Sequence, residues 1–182
     1  MTRLSKLAAA ALLGALLATT TTPAATAQEA ELYDPAGDAA NPGLDFTNVK
    51  LNSLDRKIVV TASFTQVRRG TLIVSIDPRG RDGVRLVSAL AADGTSIDSL
   101  YPGAFTDQGT VDEPEPLDCP GFRVTWLPRQ KQTQLVLPSS CLNEGNYGAV
   151  RVSYLSERGA DTDFGPEDEQ GFAGSSDWIP RG

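Results

Sequence analysis

From residue 44 onward the chain alternates apolar and polar residues with a period of two, in short runs broken by Gly, Pro and Asp. Only a β-strand sends successive side chains to opposite faces, so this pattern restricts the chain to half-buried strands. LDFTNVKLNSL (44–54) opens the series. KIVVTASF (57–64) then places Ile58, Val60, Ala62 and Phe64 on one face, and TLIVSID (71–77) does the same with Leu72, Val74 and Ile76. VRLVSAL (84–90), an Asp93-Gly94 turn and TSIDSLY (95–101) read as a hairpin. FRVTWL (122–127), QTQLVLP (132–138) and GAVRVSYLS (148–156) complete the set, with Trp126 in phase with Phe122 and Val124 and so expected in the core. No segment after residue 27 keeps a 3.6-residue apolar repeat. Strands with one apolar face must cover it, so about eight or nine of them imply an all-β fold, an antiparallel two-sheet sandwich of jelly-roll or immunoglobulin-like kind. The acidic, Gly-rich tail from about residue 157, with Trp178-Ile179 as its apolar anchor, is expected to be irregular.

The opening residues have a different grammar. Arg3 and Lys6 precede an apolar run from Leu7 to Ala18 and the small-residue tripeptide Ala25-Thr26-Ala27, the order of a secretory signal peptide cleaved after Ala27. A run of that length spans about 18 Å as a helix, short of the roughly 30 Å bilayer core, so no membrane insertion is expected after cleavage. Residues 28–182 then form a single-domain length. They carry 14 Lys and Arg against 23 Asp and Glu, a net charge of −9. So acidic a surface disfavours nucleic acid and anionic membranes as partners and suits solubility outside the cell.

Cys119 and Cys141 form an even pair in a chain read as exported, which predicts a disulfide. Cys119 precedes FRVTWL and Cys141 follows QTQLVLP, so a bridge would staple the open end of a hairpin. The chain contains no His. That excludes Ser-His-Asp and Cys-His catalysis, His-ligated zinc and imidazole acid/base chemistry. The sequence also lacks a GxSxG elbow, a phosphate-binding glycine loop and a CxxC pair. Carboxylate-only glycoside hydrolysis survives these exclusions, and predicts two acids facing each other across a cleft.

The stretch DPAGDAANPGLDF (34–46) concentrates acids. Asp34, Asp38 and Asp45 are the candidate calcium ligands, helped by Asp161, Asp163, Glu167, Asp168 or Glu169 from the tail. An EF-hand is excluded, because its third and sixth positions would be Ala36 and Ala39 and its last an Asp. The simpler reading is a turn, in which Asp caps backbone N–H groups, Pro presets φ and Gly supplies a special φ. The sequence favours the turn and leaves calcium open. No other cofactor is indicated.

Asp34-Pro35-Ala36-Gly37-Asp38, Leu44-Asp45-Phe46, the strand around Val59-Val60-Thr61-Ala62-Ser63-Phe64 and the hairpin end Leu137-Pro138-Ser139-Ser140-Cys141-Leu142 together resemble a group of small secreted proteins of GC-rich Gram-positive bacteria. The resemblance implies a β-sandwich, similar in fold to DOMON-like and carbohydrate-binding modules, and little chemistry. The expectation is therefore a secreted, extracellular, non-catalytic module with a polysaccharide or protein ligand. The rivals are the carboxylate-only hydrolase and a protease inhibitor exposing either segment 102–121 or the turn of Arg79 and Arg81.

Overall fold

In the computed structural model, residues 28–39, 44–105, 114–167 and 174–182 are described. The expected leader, 1–27, lies outside them, as do 106–113 of the 102–121 segment, Asp168 and Glu169. The alternating runs become strands almost residue for residue: β2 (Phe46–Ser53), β3 (Lys57–Phe64), β4 (Gly70–Pro78), β5 (Val84–Leu90), β6 (Ser96–Pro102), β7 (Arg123–Leu127), β8 (Gln132–Pro138) and β9 (Ala149–Arg158). Three strands lie outside the expected series: β1 (Gln28–Tyr33) ahead of it, and β10 (Asp161–Gly165) and β11 (Ile179–Pro180) within the tail. The described residues thus hold eleven strands instead of eight or nine, and the tail is not irregular throughout.

The strands form two antiparallel sheets. One has the order β1-β2-β3-β8-β7; the other runs β10-β9-β4-β5-β6, with β11 also pairing β9. Their inner faces share one core, in which Val49, Leu51, Ile58, Val60, Leu135 and Leu137 from the first sheet meet Leu72, Val74, Ile76, Leu86, Val150 and Val152 from the second. A period-two strand cannot bury both Phe46 and Val49, yet both are fully buried. The reason is a bulge. Pairing shifts from Phe46↔Phe64 to Asn48↔Ser63, so Thr47 is the extra residue and the phase slips by one. Phe46 then packs on Phe64 and edge-on against Tyr154 of the other sheet, with ring centroids 5.0 and 4.6 Å away.

Cys119 and Cys141 are bridged, with Cα atoms 5.6 Å apart, at the open end of the β7–β8 hairpin. Trp126 faces the core but is only partly buried. Its indole N–H donates to Ser88 Oγ at 2.8 Å, and Ser88 in turn donates to Asp98 Oδ1 at 2.6 Å, closing one side of the sandwich with a polar relay. On the opposite side the tail returns to the first sheet. Gly182 N–H donates to the Ser53 carbonyl, the residue that also pairs with Gln28. Arg181 lies over Tyr147 and donates to the Gly145 carbonyl and to Asp55.

Candidate functional site

The acids of the opening stretch lie where the outer strand of one sheet approaches the outer strand of the other. β1 delivers Asp34 just past its last residue, and the Asp34 N–H donates to the carbonyl of the bulged Thr47. The chain then turns through Pro35-Ala36-Gly37, with Gly37 at φ +92°, a conformation that favours glycine. This turn is clamped from below. Gly37 N–H points between the two carboxylate oxygens of Asp45, 3.0 Å from each, and the Asp45 carbonyl takes the N–H of Thr65. Asp45 is buried, so the bond to Gly37 compensates part of its desolvation.

Asp163 arrives from the second sheet. In β10 the inward positions are Asp161, Asp163 and Gly165, and Asp163 Oδ2 accepts the N–H of Phe46 at 2.7 Å. One carboxylate oxygen from each of Asp34, Asp38 and Asp163 lies within 4.8 Å of the others. Asp34 and Asp38 thus come together with Asp163, one of the tail acids expected to help them, whereas the Asp45 carboxylate faces the Gly37 N–H. Of the other tail acids, Asp161 is buried one pleat away and Glu167 is exposed.

Tyr154 of β9 is the residue that sequence reasoning missed. Its hydroxyl crosses between the sheets and donates to Asp34 Oδ2 at 2.8 Å. Opposite it, Gly165 leaves the needed room: a Cβ there would sit 2.3 Å from the Tyr154 hydroxyl. Ser156, paired with Asp163, donates to the Leu44 carbonyl at 2.7 Å and fixes the start of β2.

Three acids at this spacing repel one another in a partly dry site. Burial, opposed by the Tyr154 hydrogen bond, raises the Asp34 carboxyl to about 6, with Asp38, Asp45 and Glu167 adding repulsion. Burial likewise raises Asp163 to about 7 despite the Phe46 N–H, again with the neighbouring acids contributing. Burial first, then the Asp34 carboxylate, pushes the Tyr154 phenol well above its ordinary value, so it remains a donor. The arrangement is suited to holding a proton or a hard cation. Calcium takes six to eight oxygens at about 2.3–2.6 Å, and three carboxylates would supply its charged share.

The places named for the rival readings are also defined. Five surface clefts of about 220 to 610 Å³ among the described residues are lined by residues other than the three acids. At the β4–β5 turn, the Arg79 guanidinium lies 4.7 Å from the centre of the Trp178 ring, and that of Arg151 lies 4.9 Å from it. Arg151 is also paired with Asp77 at 2.6 Å, so Trp178 anchors this turn to the tail. Comparison with known proteins adds no relative: no family model, curated protein or solved structure matches the chain.

Proposed function

We propose that the chain is an exported, non-catalytic binding module whose two sheet edges are tied together by a calcium ion at Asp34, Asp38 and Asp163. The observation that carries the metal reading is the meeting of three carboxylate oxygens within 4.8 Å, one of them from Asp163, which lies 125 positions beyond Asp38 in the chain. A solvated acidic surface spreads its charges. Here, two of the three are held at the cost of raised proton affinity, which a divalent cation would relieve.

Export is supported by the order of charges and apolar residues in 1–27 and by the disulfide, which suits an oxidising compartment. The absence of His supports a non-catalytic role, because it removes most of the acid/base repertoire. The full chain expressed in a secreting bacterial host tests both parts. Intact mass of protein recovered from the medium should begin at Gln28. Its melting midpoint should rise with calcium and fall with EDTA, by mass action on the folded state. Retention of the leader in the cell, or a midpoint indifferent to calcium up to about 10 mM, would each remove the corresponding part.

A further inference from the structure

The outer face of the second sheet carries a cleft that neither the acids nor the disulfide explains. Its volume is about 530 Å³, within the range of small-ligand sites, and its floor is made by Ile73 of β4 and Val87 of β5. Arg85 and Tyr101, directly opposed on β5 and β6, form one end, and Pro114 and Pro116 form a wall.

Arg85 is the unusual member. Its Nε–H is buried and meets no acceptor among the described residues, and the one side-chain hydrogen bond it makes to them, from Nη2 to the Pro102 carbonyl, is long at 3.4 Å. A guanidinium has five N–H donors in a planar fork matched to a carboxylate, and leaving such a donor buried without an acceptor is costly. Glu115 lines the same cleft, yet no ion pair joins it to Arg85 within 4 Å. The cleft therefore presents four chemistries together: an under-used cation, an exposed carboxylate, an aromatic ring and an apolar floor.

We infer that this cleft binds a uronic-acid unit of an extracellular polysaccharide. The sugar carboxylate meets the Nη groups of Arg85, the ring face lies on Tyr101 and the floor, and a sugar hydroxyl donates to Glu115. Glu115 discriminates among ligands: it repels a bare anion but accepts from a hydroxyl-rich one. The inference rests on reading the chain as an extracellular module, but it concerns a different face from the Asp34 edge, so the two can fail separately.

Titration of the isotope-labelled protein with tri-galacturonate, followed by NMR amide shifts, tests it. Saturable shifts should map to β5, β6 and residues 114–117. Cellotriose, which lacks the carboxylate, and sodium acetate, which lacks the ring, should each bind at least about tenfold more weakly. Arg85→Gln and Tyr101→Ala should each weaken binding about tenfold or more, with Arg85→Lys intermediate because it keeps the charge but loses the fork. Tyr101 is half-exposed on the outermost strand, so its variant tests the site even where Arg85→Gln unfolds the sheet. No saturation by about 10 mM, shifts confined to the Asp34 edge, or unchanged affinity in the folded Tyr101 variant would overturn the inference.

Discussion

With calcium removed, the protein should grow less stable as the pH rises from about 4 to 7, and Asp163→Asn should reverse that loss. The carboxyls of Asp34 and Asp163 are held at about 6 and about 7 in the fold, against 3.8 as the ordinary value. The folded state therefore binds protons that the unfolded state has released. The stability this gives is complete below about pH 4 and is lost as the pH passes through the two raised values. Taken at face value the two displacements amount to roughly 7 kcal/mol. Solvent screens this edge, and the repulsion between the two acids enters both values, so about 2 kcal/mol is the realistic size. For a chain this long, that corresponds to a midpoint about 4–8 °C lower at pH 8 than at pH 4.5. The assay is a set of thermal melts in EDTA across that range, repeated with calcium, which should flatten the slope. Asn at position 163 keeps an oxygen for the Phe46 N–H and removes the charge, so at pH 8 in EDTA the variant should melt above the parent and no longer respond to calcium. A variant that melts well below the parent at both ends of the range, beside a parent with no slope, would refute the electrostatic account of this edge.

Two further outcomes follow from the packing. Gly165→Ala should destabilise by about 3 kcal/mol or more, because the new Cβ falls 2.3 Å from the Tyr154 hydroxyl; Tyr154→Phe should not rescue it, since ring carbons lie at 2.4 and 2.6 Å, and urea melts of the single and double variants would measure both. Replacing Cys119 and Cys141 by Ser should cost about 3 kcal/mol through the opened loop, read as a lower urea midpoint with little change in baseline signal, and a change below about 1 kcal/mol would mean the hairpin end is held without its bridge.

The interior strands are legible in sequence because both of their neighbours impose the same alternation: β3, β5 and β8 begin and end where the periodicity does. Of the four outermost strands, β6 and β7 keep enough of the alternation to be read, whereas β1 and β10 do not. In β1, QEAELY, only Ala30 and Leu32 pack on the core, while Glu29 pairs with Lys50 at 2.5 Å, so the run reads as an acidic leader. In β10, DTDFG, the inward positions are acids and a glycine, which inverts the expected pattern. The turn at Asp34-Pro35-Ala36-Gly37-Asp38 is legible because its residues are local. Which acid completes the cluster is not, because Asp163 reaches it only through the pairing of β10 with β9 and the bond to Phe46. The Thr47 bulge is equally invisible: no sequence signal distinguishes a strand that slips phase from one that simply begins late.

Ser53 receives the chain from both directions, pairing with Gln28 and accepting the Gly182 N–H. Residues 28 and 182 are thus near neighbours across a single residue of β2. A linker of a few residues would join them without disturbing either sheet, and new ends opened at the exposed Asp93-Gly94 turn would leave every strand pairing intact. The order in which the strands are threaded along the chain is then separable from the architecture they build.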